Sequence, residues 1–316
     1  NSGSSLTLTA TLTGPTKGLN DVYLDTSGTA TEGTDYTDGS GVIDNIRISA
    51  GSTTGTVTFN PTDDSVYEGN ETAIISVNTV SGLAVENSTP QAVTITITEN
   101  ESSPTITLTS SASSISENAG SSLTLTATSS IVADEDITVS ISTSGTGTEG
   151  TDYSTISDIT ISAGATTGTA SFTPTDDSVY EGNETGIVAI SGVSGADAAE
   201  SGTQSVTITI TENESAPTVT LTSSASSINE NAGSSLTLTA TLSGAVDETV
   251  TVSIGTAGTS TEGTDYTDGS GVVNDITISA GATTGTVSFT PTDDSIYEGD
   301  ETAIISIDGV SGGGAS

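Results

Sequence analysis

The sequence contains no cysteine, no histidine, no methionine and no tryptophan. Without histidine or cysteine, the chain cannot form a Ser-His-Asp triad, a thiol nucleophile, a zinc finger or a histidine-ligated metal site. Disulfides are excluded as well, so the burial of apolar side chains has to supply the stability. No apolar run approaches the roughly 20 residues of a membrane-spanning helix, and we expect no membrane insertion of this segment.

Positive charge is almost as scarce. Lys17 and Arg47 are the only basic residues against 41 acidic ones, which gives a formal net charge of −39. Because proteins bind phosphate backbones mainly through Lys and Arg, this balance excludes nucleic acid as a partner.

Apolar residues are present in a regular pattern that argues against the disorder common in acidic chains. Leucine, valine and isoleucine alternate with small, mostly polar residues in segments such as Leu6–Leu12 and Val93–Ile97. Alternation with a period of two is typical of a strand with one buried face. No segment has a helical period, so we predict an all-β chain.

An internal repeat organises the 316 residues. The segment Asn118–Leu125 recurs as Asn231–Leu238, and the opening of the chain from Asn1 matches both. The period is about 115 residues, the size of one β-sandwich domain. We therefore predict three domains, over residues 1–101, 102–214 and 215–316.

Seven short alternating segments in the second repeat predict a sandwich of two antiparallel sheets. In chain order they are Thr105–Leu108 continuing through Ile115, Leu123–Thr128, Ile137–Ser142, Ile159–Ile161, Thr169–Thr173, Ile187–Ile190 and Val206–Ile210. The first repeat lacks the opening strand of this pattern, and the third lacks the closing one. We favour a segment of a longer tandem array; the alternative is a filament subunit completed by strand donation between identical chains.

Nine aromatic residues occupy equivalent places, three in each repeat. The sets are Tyr36, Tyr153 and Tyr266; Phe59, Phe172 and Phe289; and Tyr67, Tyr180 and Tyr297. We predict that they pack in the core and at the rim of each repeat, with one core per repeat.

Acidic residues concentrate after the first, third, fifth and seventh strands. In an up-and-down antiparallel order these strands run the same way, so their ends meet at one tip of the sandwich. The candidate metal ligands are, in the first repeat, Asp35, Asp63, Asp64, Glu68, Glu99 and Glu101; in the second, Glu117, Asp152, Asp176, Asp177, Glu181, Glu212 and Glu214; and in the third, Glu230, Asp265, Asp293, Asp294 and Glu298.

These gathered carboxylates need neutralisation. Two like charges about 4 Å apart repel by about 1 kcal/mol even in bulk water. Calcium accepts roughly 6–8 oxygen ligands in irregular geometry, whereas magnesium requires a tighter octahedron. We therefore predict Ca2+ at the tip; an acidic surface that serves only solubility is the alternative.

Four segments of the second repeat together resemble a Calx-beta domain: Ser116–Asn118, Gly150–Tyr153, Phe172–Glu184 and Val206–Glu214. That family includes regulatory domains of sodium/calcium exchangers and many repeats of large bacterial surface proteins. The resemblance implies tandem seven-stranded immunoglobulin-like β-sandwiches in a linear array, with calcium at one tip of each. It implies as ligands Glu117, Asp152, Asp176, Asp177, Glu181 and the acids of Glu212–Glu214.

The sequence departs from the exchanger domains in two places. Their acidic triplet before the Ile/Val-aromatic pair has a serine as its third residue here, at Ser65, Ser178 and Ser295. Their closing run of aspartates is Glu-Asn-Glu in this chain. Fewer ions per site, or weaker binding, would follow.

Short linkers, Asn100–Pro104 and Asn213–Pro217, join one repeat to the next, and each proline stiffens its linker. The acidic tip therefore faces loops of the following repeat, among them Asp134–Asp136 and Asp247–Glu248, which are placed to complete the coordination. We hypothesise that calcium locks successive domains into a stiff rod.

The sequence thus predicts a non-enzymatic, calcium-binding structural segment of an extracellular stalk, adhesin or filament on a bacterial surface. Its partners are neighbouring repeats of the same chain or of identical chains. A calcium-sensing regulatory protein is the alternative, and it would bind calcium more tightly. An enzyme, such as a glycosidase with Asp176 and Asp177 as paired carboxylates, would not need the same acids three times.

Overall fold

The computed structural model describes residues 4–87, 89 and 91–316. Every regular element within them is a β-strand, which confirms the all-β prediction. The described residues form no helix with the length and hydrophobicity needed to cross a membrane. The predicted start of the first repeat, at residue 1, lies outside the described residues.

Two sheets of the first repeat, in the orders β1-β5-β3 and β4-β2-β7-β8, face each other across its core. The strands are β1 (Leu6–Thr11), β2 (Asn20–Gly28), β3 (Tyr36–Thr37), β4 (Asn45–Ile48), β5 (Thr54–Pro61), β6 (Val66–Tyr67), β7 (Glu71–Ser81) and β8 (Ala92–Ile97).

The second repeat has sheets in the orders β15-β11-β9-β18 and β10-β19-β17-β13-β14. The strands are β9 (Thr105–Ser110), β10 (Ser114–Ser116), β11 (Leu123–Ser129), β12 (Val132–Ala133), β13 (Ile137–Gly145), β14 (Ile159–Ile161), β15 (Thr167–Phe172), β16 (Val179–Tyr180), β17 (Glu184–Ser194), β18 (Ala199–Glu200) and β19 (Ser205–Thr211). The seven predicted segments all overlap strands. The opening segment divides between the two sheets as β9 and β10, and three further short strands make the repeat richer than predicted.

The third repeat has sheets in the orders β20-β21-β26-β24 and β25-β23-β27. The strands are β20 (Val219–Ser223), β21 (Leu236–Leu242), β22 (Ala245–Val246), β23 (Val250–Gly258), β24 (Tyr266–Thr267), β25 (Ile276–Ile278), β26 (Thr284–Pro291) and β27 (Ala303–Ser311).

An aromatic pair marks the same core position in each repeat. The ring centroids lie 4.6 Å apart in all three pairs, stacked at 22–23°. The pairs are Tyr36 with Phe59, Tyr153 with Phe172, and Tyr266 with Phe289. These six residues confirm the core prediction, because the tyrosines are buried and the phenylalanines are buried or pack against the core.

Tyr67 differs from the prediction, because it packs in the core of the following repeat. Strand β6 pairs in parallel with β12 of the second repeat. Tyr67 is 8% exposed and belongs to the apolar cluster of that repeat, and its hydroxyl donates to Asp197 Oδ2 at 2.9 Å. Alternation along one strand does not reveal a contact with another domain, so the sequence pattern could not show this.

Tyr180 forms the corresponding contact with the third repeat. Strand β16 pairs in parallel with β22, and Tyr180 packs against the third apolar cluster. Gly314 lies against the ring, with φ of +60°, and a Cβ at this position would come within 2.7 Å of Tyr180 Cε1. Each junction between repeats is therefore a packed and hydrogen-bonded contact in addition to a covalent linker.

Candidate metal centres

Carboxylates gather in five groups of three, and the ligand oxygens of each group lie within 4.8 Å of one another. We name them the first junction site (Asp35, Glu68, Glu71), the second junction site (Asp152, Glu181, Glu184), the strand-end site (Glu117, Glu212, Glu214) and the two free-tip sites (Glu230, Asp294, Glu298; Asp265, Glu298, Glu301). The predicted convergence of separate acidic segments thus appears in every repeat.

A short turn after β13 positions the aspartate of the second junction site. Asp152 Oδ2 accepts the backbone N–H of Thr148 at 2.6 Å, while Asp152 N donates to Thr148 O at 2.9 Å. The next residue, Tyr153, is anchored in the core. Asp35 and Asp265 have the same turn, so the aspartate is held before any ion binds.

The loop between β16 and β17 carries the two glutamates of this site. Glu212, which follows β19, holds the loop: its Oε2 accepts the N–H groups of Glu181 at 2.6 Å and Gly182 at 2.8 Å. Its Oε1 accepts the N–H groups of Asn213 at 2.8 Å and Glu214 at 2.9 Å. Glu212 therefore fixes the backbone of the loop that carries Glu181, in addition to lying in the strand-end site.

Glu99 has the same role in the first repeat, where it accepts N–H groups of the loop that contains Glu68. Burial raises the pKa of Glu99, but the N–H groups of Glu68 and Glu101 outweigh it and lower the pKa to about 2. The balance of burial and backbone donors is similar at Glu212, whose pKa is also about 2. Both side chains therefore stay ionised and keep the loops in place.

The strand-end site results from one strand pairing. β10 and β19 lie side by side in parallel, so their ends at Ser116 and Thr211 are neighbours. Glu117 follows the first of these strands and is buried. Burial, which the N–H of Asp177 partly offsets, and the charge of Glu212 raise the pKa of Glu117 to about 7.

The glutamates of both junction sites have raised pKa values. Burial is the largest cause, followed by the charge of Asp35 in the first site and of Asp152 in the second. Each of Glu68, Glu71, Glu181 and Glu184 reaches a pKa of about 7. A cation bound among these carboxylate oxygens would relieve the repulsion between them and so lower the four pKa values.

Aspartates of the following repeat also contribute to the electrostatic repulsion at the junction sites. The charge of Asp134 raises the pKa of Glu68 and Glu71, and that of Asp247 raises the pKa of Glu181 and Glu184. Asp134 N donates to Tyr67 O at 3.2 Å, so Asp134 is held beside the first junction site. The charge of a carboxylate from the following repeat thus acts on each junction site.

Three buried carboxylate oxygens accept no hydrogen bond within the described chain: Glu71 Oε2, Glu101 Oε2 and Glu214 Oε2. Glu71 is only 9% exposed. A buried polar atom without a partner carries a desolvation penalty, which a bound cation would remove. Donor sets made only of oxygens suit hard cations, so these residues fit Ca2+.

The predicted ligands divide into two sets. Those that lie in the groups are Asp35, Glu68, Glu117, Asp152, Glu181, Glu212, Glu214, Glu230, Asp265, Asp294 and Glu298. Those outside the groups are Asp63, Asp64, Glu99, Glu101, Asp176, Asp177 and Asp293. Asp64 and Asp177 instead accept the N–H groups of Val66 and Val179, at 2.8 and 2.7 Å. For the residues of both sets, binding of a metal ion stays a prediction.

Sequence reasoning missed Glu71, Glu184 and Glu301, which complete three of the groups. Each of them follows the Tyr-Glu-Gly segment after one further residue, in all three repeats. That repetition was a usable signal. Because Glu71 and Glu184 begin β7 and β17, their place in a strand concealed their position at the tip.

A model of the Calx-beta domain family matches the chain three times in tandem, over residues 7–101, 99–214 and 212–315. No curated protein matches the chain.

Several solved structures are similar to the chain. CBD12 from CALX1.2 is 16% identical with a TM-score of 0.29, and the match covers 65% of this chain and 92% of that one. Invasin, a bacterial integrin-binding protein, is 18% identical with a TM-score of 0.33, over 98% of this chain and 54% of invasin. This chain thus spans about half of the invasin chain. The D0-D1 domain of intimin is 14% identical, with a TM-score of 0.24, over 66% and 91% of the two chains.

Proposed function

Because the chain belongs to the Calx-beta domain family, in three tandem copies, we propose that it is a non-enzymatic calcium-binding segment whose ions sit at the junctions between repeats and stiffen the array. The segment acts as a spacer in an extracellular stalk, adhesin or filament. Millimolar calcium outside cells fills even weak sites, and tandem repeats suit a component that sets length.

The main support for this proposal is the buried environment of the Glu71 carboxylate. Its Oε2 is buried without a hydrogen-bond partner, in a group with Asp35 and Glu68. Protonation would leave a neutral acid, but a pKa of about 7 keeps part of the population ionised at neutral pH. A calcium ion satisfies the oxygen, and its two positive charges offset most of the negative charge of the three carboxylates.

Stiffening follows from the origin of the ligands. Asp35, Glu68 and Glu71 come from the first repeat. Asp134 of the second repeat, whose charge acts on Glu68 and Glu71, completes the coordination in this proposal, so that one ion binds both domains. Without the ion, the same carboxylates repel one another across the junction. Asp247 gives the second junction site the same two-domain character.

Two measurements test the proposal: thermal melting and small-angle X-ray scattering, each in millimolar calcium and in chelator. Calcium is expected to raise the melting temperature and lengthen the maximum dimension. The variant Asp152→Asn/Glu184→Gln is expected to lose part of both effects. The matched variant Asp265→Asn/Glu301→Gln, at the free tip, is expected to keep the change in dimension because no repeat is described beyond that tip.

Equal melting temperatures and equal dimensions with calcium and with chelator would contradict the proposal and leave the acids as a solvated surface. Calorimetric titration of the same proteins adds the affinity. Binding in the millimolar range supports the extracellular spacer, whereas micromolar or tighter binding supports a calcium sensor.

A further inference from the structure

The hydroxyl of Tyr67 connects three successive parts of the chain at the first junction, between the first and second repeats. Tyr67 Oη donates to Asp197 Oδ2 at 2.9 Å and accepts a hydrogen bond from Ser103 Oγ at 3.4 Å. Tyr67 belongs to the first repeat, Ser103 to the linker and Asp197 to the second repeat. These two bonds therefore hold the tip of one repeat against both the linker and the receiving loop of the next.

The sequence replaces both partners at the second junction, between the second and third repeats. The residue before the linker proline is Ser103 in the first linker and Ala216 in the second. The second residue after the glycine that follows β17 is Asp197, and its counterpart after β27 is Gly314. Neither alanine nor glycine has a polar side chain, so Tyr180 cannot form the two bonds of Tyr67.

The backbone of the receiving loops is otherwise built alike. Ala196 N donates to Glu135 Oε2 at 3.3 Å in the second repeat, and Gly313 N donates to Glu248 Oε2 at 3.1 Å in the third. The short strands also pair in parallel in the same way at both junctions, β6 with β12 and β16 with β22. The two junctions thus offer a matched comparison that differs in the partners of the tyrosine hydroxyl.

Asp197 has a backbone conformation that favours glycine. Its φ is +49°, and Gly314 has φ of +60° at the corresponding position. A left-handed backbone is unfavourable for a residue with a Cβ, so glycine would be the less strained choice. Strained residues persist where the surroundings compensate for them, and the charged hydrogen bond from Tyr67 offers that compensation here.

Repulsion between successive repeats acts at both junctions. Burial is the largest cause that raises the pKa of Asp134, followed by the charges of the adjacent glutamate and of Asp35 in the first repeat. Burial likewise raises the pKa of Asp247, followed by its adjacent glutamate and Asp152 of the second repeat. Without a cation, carboxylates therefore oppose docking at both junctions, and the forces that hold the repeats together decide the outcome.

We propose that the hydrogen bonds of the Tyr67 hydroxyl keep the first junction closed without calcium, whereas the second junction is a hinge that closes only when calcium is bound. This inference rests on the proposed function, because it takes calcium to stiffen the array. It adds that the array bends at one place: in chelator, the first two repeats stay together as one unit and the third repeat moves against them.

The magnitudes favour this division. A hydrogen bond to a charged group shifts the equilibrium between docked and undocked repeats roughly tenfold to a hundredfold. Repulsion between two solvent-screened carboxylates about 4 Å apart shifts it about fivefold in the opposite direction. The bond between Tyr67 and Asp197 therefore offsets the repulsion of about one to three such pairs, and the second junction has no equivalent bond.

Spin labels on the two sides of each junction test the proposal on the whole chain, which has no cysteine of its own. Thr56, Thr169 and Thr286 are exposed, and each follows the corresponding glycine in its repeat. The pair Thr56→Cys/Thr169→Cys reports on the first junction, and the pair Thr169→Cys/Thr286→Cys reports on the second. Double electron–electron resonance in millimolar calcium and in chelator gives the distance distribution of each pair.

Both pairs are expected to have narrow distributions in calcium. In chelator, the first pair is expected to stay narrow and the second to broaden, with an undocked fraction roughly tenfold or more above that of the first. Equal broadening at the two junctions, or broadening at the first alone, would overturn this inference and leave the proposed function standing. Narrow distributions at both junctions in both buffers would contradict the stiffening by calcium as well.

Removal of a single hydroxyl tests the cause. Tyr67→Phe keeps the ring in the core of the second repeat and is expected to broaden the first pair in chelator, while calcium is expected to narrow it again. The matched control Tyr180→Phe is expected to change neither pair, because that hydroxyl lacks both partners. Equal effects of the two variants would show that the hydroxyl of Tyr67 is not what closes the first junction.

Exchange of the partners tests the same point from the other side. Ser103→Ala/Asp197→Gly gives the first junction the residues of the second, and glycine suits the left-handed position. This variant is expected to broaden the first pair in chelator. Asp197→Asn keeps an oxygen acceptor and tolerates the left-handed backbone, so it is expected to preserve most of the narrow distribution. A first pair that stays narrow in the double variant would contradict the proposal.

Discussion

The same acidic tip occurs three times; two tips are covered by a following repeat, and no repeat is described beyond the third. At the covered tips, Asp35 and Glu71 are buried, Asp152 and Glu184 are half-buried, and the neighbouring Val-Tyr pairs form strands β6 and β16. At the free tip, Glu301 is exposed and Ile296–Tyr297 forms no strand. The tip sequences are nearly identical. Among the described residues, the third repeat has neither a following repeat nor the closing strand that pairs with Glu71 and Glu184 in the other two, and both differences expose its tip.

This comparison shows that the junction site is a property of two domains. One repeat brings three carboxylates together, while the charge of a fourth carboxylate and the strand that pairs with the tyrosine segment come from its neighbour. The pKa of Glu71 and of Glu184 reaches about 7. At the free tip, desolvation and then the charge of Asp265 also raise the pKa of Glu301.

The largest expected effect comes from truncating the covered tyrosine. Tyr67→Ala should lower the free energy of unfolding of the second repeat by about 3 kcal/mol, because it empties part of that repeat's core. Tyr297→Ala at the free tip should change stability by less than about 0.5 kcal/mol. Urea denaturation measures both, and hydrogen–deuterium exchange shows which repeat opens. Equal effects of the two variants would break the comparison.

The pH dependence of the metal-free protein comes next. The pKa of Glu71 and Glu184 is about 7 in the folded chain, against an ordinary value of 4.5, so the folded state binds more protons than the unfolded state between these values. Stability is therefore lost as the pH rises through 7. In chelator, the melting temperature should fall by several degrees from pH 5 to pH 8.

Saturating calcium should reverse this slope, because protons then compete with the ion for the same oxygens. Glu99 and Glu212, with pKa values of about 2, contribute stability that is present above 4.5 and lost as the pH falls through 2, so they do not affect the window. A melting temperature that rises with pH in chelator would contradict the raised pKa values.

A matched pair of neutral substitutions sharpens the contrast between the tips. In chelator at pH 8, Glu71→Gln should raise the melting temperature by a few degrees, because it removes a buried charge from the first junction site. Glu301→Gln should leave it nearly unchanged, since solvent screens that charge. In calcium, Glu71→Gln should instead reduce the gain that the ion provides. Differential scanning calorimetry in both buffers tests the pair.

The smallest expected effect separates the two internal junctions. Ala196 and Asp197 have φ of +50° and +49° at the loop that receives Tyr67, where the third repeat has Gly313 and Gly314. Left-handed backbone costs a non-glycine residue about 1–2 kcal/mol. Ala196→Gly should therefore stabilise the second repeat by about 1 kcal/mol in urea denaturation. Ala198→Gly is the control and should not stabilise.

Much of the site followed from strand order. Knowing that the alternate strands run in the same direction was enough to bring Asp152, Glu181 and Glu117 to one tip, although they are far apart in sequence. The division into junction and strand-end sites did not follow, because it depends on the pairing of β10 with β19. The sequence pattern did not predict Glu184 as a ligand, because it is the first residue of β17 and the acidic loop was expected to end before that strand.

The sequence by itself determined the class of fold, the three repeats and the acidic tip, because side-chain alternation and repetition are local features of the chain. Only the tertiary structure decided where Tyr67 and Tyr180 pack, which carboxylate oxygens have no hydrogen-bond partner, and that the charge of an aspartate of the following repeat acts on each junction site. Burial and pairing depend on distances between residues remote in sequence. Identical segments therefore acquire different environments wherever their neighbours differ.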